Sequence, residues 1–247
     1  MSDDMHTISF RHGDHICLFY RDSDEQMAIA TPFVQIGLLR GERCLCVLNT
    51  TQTERLCALL RASGINPQKE VARGALLLSS PEEAYLVGGK FNRHGMVKFL
   101  DEAMQEAINL GFTAFRGTGD LSWAARDTGA CAQMPEYEAM LDKYYPGTKS
   151  LGICMYDMRL FRSDQIESLM KAHRLALLHP DAEKRGIRIR CDGIFGDVIF
   201  DRAQPTAVFH YVIQKDNSEA VLMSGQDTSL RGAMSAVETA ITNLPHG

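Results

Sequence analysis

The run His15-Ile16-Cys17-Leu18-Phe19-Tyr20, followed by Arg21-Asp22-Ser23-Asp24-Glu25, decides how this chain is read. The first six residues form a short apolar run that predicts a buried strand. Behind it, Met27, Ala30, Phe33, Val34 and Leu38 recur at helical spacing through 24–40. A strand, a tight connection and a helix at the head of an α/β domain mark the place of a phosphate-binding loop. Such a loop needs glycines for close backbone approach and a Lys-Ser/Thr pair for phosphate and magnesium. Residues 20–25 contain no glycine, no lysine and three carboxylates. The architecture is of a nucleotide-binding type, and the chemistry of its key loop opposes a nucleotide.

The alternation continues along the chain. Strands are predicted at 42–49, 74–79, 112–117 and 150–157, and helices at 52–63, 94–110, 134–145 and 163–178; 80–93 reads as irregular. The strands are continuous apolar runs, which points to a parallel sheet covered on both faces. From Gly186 the pattern changes to strands broken by turns. A hairpin is expected from 208–214 and 219–223, and a closing helix over 228–243. The predicted fold class is α/β: a three-layer sandwich with a mostly parallel sheet over 1–182, plus a small C-terminal α+β extension over 183–247.

Composition narrows the function. Hydrophobic residues make up 45% and charged residues 23%, the balance of a globular domain. A net charge of −5 argues against a broad nucleic-acid or anionic-membrane surface. No 18-residue apolar run is present, and the acidic, polar Met1–His6 does not read as a signal peptide. Seven cysteines, mostly within apolar runs, favour reduced thiols and a cytoplasmic location over a disulfide scaffold.

In open α/β sheets ligands bind beyond the carboxyl ends of the strands. Phe19, Tyr20, Asn49, Thr50, Ser79, Arg116, Asp120, Trp123, Tyr156 and Asp157 are expected there. Aromatic walls with few polar anchors suit a small organic molecule. His15, Phe19, Tyr20, Arg116, Asp120, Trp123, Tyr156 and Asp157 are the candidate ligand-binding residues. The plainer alternative is that Phe19 and Trp123 close the core. Arg116 interrupts an apolar strand and needs a partner, for which Asp120, Asp157 or an acidic ligand is expected. Arg126-Asp127-Thr128-Gly129 reads as a polar loop able to act as a lid.

By period-two alternation His15, Cys17 and Phe19 share one face, Cys44 and Cys46 another, and Cys154 and Tyr156 a third. A thiol–imidazole metal site would require those faces to meet. No Cys-x-x-Cys or His-x-x-x-His spacing supports one, so the cysteines read as small hydrophobes and no metal or cofactor is expected. His173 falls on the apolar face of the predicted helix 163–178 and reads as a core histidine. Glu136 and Glu138 read as solvated surface. No Gly-x-Ser-x-Gly elbow exists, so no hydrolase triad is expected, and no catalytic residue is assigned.

Several separated patches carry a family resemblance. They are Gly13–Tyr20, Gly41-Glu42-Arg43, Arg116 followed by Asp120-Leu121-Ser122-Trp123-Ala124, Tyr137-Glu138, Cys154-Met155-Tyr156-Asp157 and His179-Pro180. Their order and spacing over roughly residues 10–200 resemble the MEDS domain, the methanogen/methylotroph sensory domain. That family is a sensor relative of the KaiC/RecA-like ATPase fold without its ATPase motifs. The resemblance implies a RecA-like core and a non-enzymatic sensor of a small hydrocarbon derivative. Its output would pass to a signalling partner or across a homodimer; the net charge and the lack of a spanning run, not the resemblance, leave nucleic acid and membrane out as expected partners. The alternatives are an interaction module with a vestigial pocket, or an ATPase or transferase with a non-standard phosphate site, which the acidic loop opposes.

Overall fold

In the computed structural model His15–Tyr20 form strand β1, with all six residues buried. The structure describes residues 11–173, 175–178, 186–191, 194–201, 208–215, 221–227 and 236–237. Contacts divide the chain into a unit spanning Phe10–His173 and another that contains Arg174–Gly247. The predicted boundary, after residue 182, falls later in the chain.

In the first unit β1 is followed by α1 (Ser23–Leu39), β2 (Arg43–Val47), α2 (Thr50–Ala62), α3 (Pro67–Ala72), β3 (Leu76–Ser79) and α4 (Pro81–Ala84). Then come α5 (Arg93–Asn109), β4 (Phe115–Asp120), a 3-10 turn at Ser122–Arg126, α6 (Thr128–Tyr144), β5 (Ser150–Asp157) and α7 (Ser163–Lys171). The five strands pair in parallel in the order β1-β5-β4-β2-β3. This is the expected α/β architecture, with helices on both faces of a parallel sheet.

Two glycines set how closely the layers approach. A Cβ at Gly37 of α1 would lie 2.6 Å from Cys44 Sγ and 2.8 Å from Arg116 Nε, so the bare backbone lets α1 rest on the Cys44/Arg116 face. On the other face Gly152 of β5 leaves room for the ring of Tyr145, which follows α6. Helix starts follow from their caps. Asp22 accepts from the amides of Asp24 and Glu25, Asn49 and Gln52 form a capping box, and Asp127 accepts from Gly129 and Ala130.

The structure corrects several expected elements. β4 runs three residues beyond the predicted 112–117, because Gly117-Thr118-Gly119 continues the strand instead of turning. The Tyr85 hydroxyl lies against Gly119 in the space a side chain would fill, and the Tyr145 hydroxyl stands in ordinary contact range of Gly117. The irregular stretch contains α4, started by Pro81 and by a Ser80–Glu83 capping box. Arg126–Gly129 is not the polar loop expected: Arg126 ends the 3-10 turn, Asp127 is the cap, and Thr128 begins α6. The helix predicted over 163–178 ends at Lys171, so His173 follows the helix rather than lying on it.

The second unit holds β6 (Leu175–Leu178), β7 (Gly186–Cys191), β8 (Ile194–Asp201), β9 (Val208–Lys215) and β10 (Val221–Asp227). They form an antiparallel meander in that order, and β9 with β10 is the expected hairpin. Leu175-Ala176-Leu177-Leu178 is apolar at every position, so periodicity alone could not separate strand from helix. The closing helix predicted over 228–243 lies outside the described residues except for Ala236 and Val237, which are helical. Among the described residues no helix is long and apolar enough to cross a membrane.

Candidate functional site

β1, β4 and β5 end in Tyr20, Asp120 and Asp157, on the side of the sheet that α1 covers. Asp120 is buried and gathers donors from four directions. The Tyr20 hydroxyl donates to its Oδ2 at 2.7 Å and the Gln26 amide at 3.1 Å; the Gln52 amide donates to the same oxygen. The backbone N–H of Ser122 donates to Oδ1 at 2.8 Å. Ser122 Oγ lies 3.2 Å from the Tyr20 hydroxyl and accepts from the Asp157 amide at 2.8 Å. Arg159 grips the Asp157 carboxylate with Nε at 2.9 Å and Nη2 at 2.6 Å. Burial, then the neighbouring Asp120 charge, pushes the Tyr20 phenol well above its usual range, so Tyr20 remains a protonated donor.

A cavity of about 550 Å³ lies over this network. Tyr20, Asp120, Trp123 and Asp157 line it, as do Gln26, Asn49, Thr50, Gln52, Ser122 and Leu160. Trp123 is half-buried, stacked on Tyr85 at 5.6 Å and on the edge of Phe91 at 5.5 Å. The amino end of α1 also opens here. Its amides at Asp24 and Glu25 are taken by the Asp22 carboxylate, and Arg21 is tied to Glu25 by backbone and side chain. At this helix end the Asp24 and Glu25 amides that a phosphate would use are already engaged.

Four of the eight candidate residues therefore meet at the strand ends. The other four do not line this cavity. Phe19 and Tyr156 lie on the opposite face, stacked on each other at 5.7 Å. Arg116 is corrected outright: it pairs with neither Asp120 nor Asp157. It sits early in β4, 2% exposed, with Nε donating to Glu42 at 2.6 Å, Nη1 donating to the Phe33 carbonyl at 3.0 Å, and the guanidinium 4.5 Å from the Phe33 ring centre. His15 is at the amino end of β1, beneath α6. There the faces bearing His15 and Cys154 do meet, while Cys44 and Cys46 lie on the other side of the sheet. Ligand atoms of His15, Glu138, Cys154 and His173 all come within 4.8 Å of one another.

Gln26, Gln52, Ser122 and Glu138 escaped the sequence reading. Glu138 is not solvated surface but fully buried. A signal was present: it follows Met134 by four and precedes Leu141 by three, on the apolar stripe of its helix.

The profile of MEDS, the MEthanogen/methylotroph, DcmR Sensory domain, matches residues 14–174. The chain belongs to the MEDS family. The match covers the whole strand-end site and the His15 cluster up to His173. The transcriptional repressor DcmR of Methylorubrum extorquens (strain DSM 6343 / CIP 106787 / DM4) is 27% identical over 179 residues. That similarity takes in 70% of this chain and 63% of DcmR, so the chain spans under two thirds of its relative. Among solved structures, the KaiC-like protein PH0186 from Pyrococcus horikoshii OT3 superposes with a TM-score of 0.49 at 13% identity, covering 78% of this chain and 87% of that one.

Proposed function

We propose that this MEDS chain is a non-enzymatic, cytoplasmic sensor that binds a small organic molecule in the strand-end cavity. It would report occupancy through protein contacts, to a signalling partner or to a second copy of itself. The observation that carries this reading is the cavity over the Tyr20–Asp120–Ser122 network, in a chain of a sensory family. The cavity volume lies within the range of small-molecule sites. The polar groups of its floor, Tyr20, Gln26, Gln52, Asp120 and Ser122, are held by one another, which fixes their orientation, and Trp123 and Leu160 add apolar surface.

The chemistry at the floor narrows the ligand. Asp120 is already satisfied by neutral donors, and Asp157 is neutralised by Arg159. An uncharged molecule with a hydrogen-bonding group and an apolar remainder suits such a floor better than a phosphate. A thermal-shift series on the full chain tests this with short-chain alcohols, ketones, amides and halocarbons, and with magnesium-ATP as the contrast. A concentration-dependent rise with members of the organic panel, and none with magnesium-ATP, is expected. A rise with magnesium-ATP alone would overturn the reading.

A further inference from the structure

We propose that His15, Glu138, Cys154 and His173 form a binding site for a divalent transition-metal ion, with zinc the metal best suited to the donors. The sequence offered no local metal motif, since the four residues come from β1, α6, β5 and the segment after α7. The fold assembles them apart from the strand-end cavity.

Three of the six donor pairs stand at the separations of a coordination shell, and all four donor atoms lie within 4.8 Å of one another. Glu138 Oε2 lies 3.1 Å from His15 Nε2 and 3.0 Å from His173 Nε2, and Cys154 Sγ lies 3.5 Å from His15 Nε2. Tetrahedral zinc with bonds of about 2.0 Å to N or O and 2.3 Å to S places N and O donors about 3.3 Å apart and an N–S pair about 3.5 Å apart. All four side chains are buried, as a closed site requires.

The outer groups fix the donor atoms. His173 Nδ1–H donates to the Leu169 carbonyl at 2.8 Å, which leaves a lone pair at Nε2. His15 Nδ1 faces the Asp142 carboxylate at 3.3 Å, the carboxylate–histidine arrangement that presents Nε2 to a metal. The Tyr156 hydroxyl donates to Glu138 Oε1 and leaves Oε2 facing both imidazoles. With each neutral imidazole protonated at Nδ1, two nitrogen lone pairs and a carboxylate oxygen confront one another in the interior. Glu138 Oε2 and His173 Nε2 are buried 3.0 Å apart, and among the described residues neither makes a hydrogen bond of good geometry. A cation between them satisfies all three atoms at once. Binding would convert the Cys154 thiol to a thiolate and release that proton to solvent.

The test uses the tag-free full chain. Elemental analysis after purification without chelator should give about one zinc per chain. Cobalt(II) added to stripped protein should produce visible d–d bands of a tetrahedral ion and a near-ultraviolet thiolate-to-cobalt band. Cys154→Ser should remove that near-ultraviolet band. Asp142→Asn should weaken metal affinity roughly ten- to a hundred-fold while far-ultraviolet circular dichroism stays unchanged. If Cys154→Ser does not fold, the thiolate band of the wild-type chain carries the same information. Folded wild-type protein that holds no metal and gives no cobalt bands would overturn the proposal. So would metal binding that is unchanged in both Cys154→Ser and His173→Ala.

Discussion

Tyr20 and Asp120, 100 residues apart in sequence, are joined by a 2.7 Å hydrogen bond across the end of β5, the strand between their own. The bond closes the floor of the strand-end cavity. Asp120→Ala would leave the Tyr20 hydroxyl, two side-chain amides and the Ser122 N–H without their acceptor. A loss of about 3 kcal/mol is expected in chemical denaturation. Tyr20→Phe removes one donor and should cost about 1 kcal/mol. Wild-type stability for Asp120→Ala would mean that the network does not hold the floor.

Arg116 and Glu42 form a buried pair that stabilises the sheet and its α1 layer, away from the cavity. Glu42→Ala strands the guanidinium in the interior and should cost roughly 3–5 kcal/mol. The double variant Glu42→Leu/Arg116→Met should recover much of that, because neither charge is then left alone. Denaturation midpoints of the three chains measure this. A double variant no more stable than Glu42→Ala would contradict a paired, structural Arg116.

Asp22 closes the amino end of α1. Hydrogen bonds from the Glu25 amide foremost, and from the Asp24 amide, hold its carboxyl below the usual carboxylate range. The folded value therefore lies below the unfolded value of about 3.9. Its contribution is present in full above that pH and is lost as the pH falls through the lowered value. Asp22→Ala should cost about 1 kcal/mol at neutral pH and less once the carboxyl is protonated in the folded and unfolded chain. Denaturation at pH 7 and near pH 2 separates the two regimes, and an equal loss at both would count against the cap.

Gly152 lets Tyr145 lie over the sheet, where its ring stacks on His15 at 5.3 Å. A methyl group there would meet the Tyr145 hydroxyl in a packed interior. Gly152→Ala should destabilise by about 1–3 kcal/mol, and Tyr145→Ala in the same chain should relieve the clash. Additive losses in the double variant would show that the two residues do not compete for this space.

The strands most legible in sequence were His15–Tyr20 and Ser150–Asp157, continuous apolar runs with no competing helical period. The strand holding Gly117-Thr118-Gly119 was placed three residues early, because two glycines in three residues give no apolar signal to extend it. Tyr20, Asp120 and Asp157 were legible as strand-end residues, since their positions follow from topology. Arg116 was correctly expected to need a partner. That partner, Glu42, stands just ahead of the neighbouring strand β2, and no periodicity within one segment can supply such a pairing. The His15 cluster was illegible for the same reason: its four members meet only when α6 and the segment after α7 come together over β1 and β5.

Trp123 is the one tryptophan of the chain and lines the strand-end cavity, so its fluorescence reports directly on that site. The decisive measurement joins this signal to native mass spectrometry of the freshly purified full chain. A retained organic molecule is expected, released on denaturation, whose re-addition shifts the Trp123 emission and whose retention is lost in Asp120→Ala. A metal adduct alone would belong to the His15 cluster and would leave Trp123 unmoved. A native mass with no organic adduct, together with emission that no member of the small-molecule panel alters, would contradict a ligand-binding sensor.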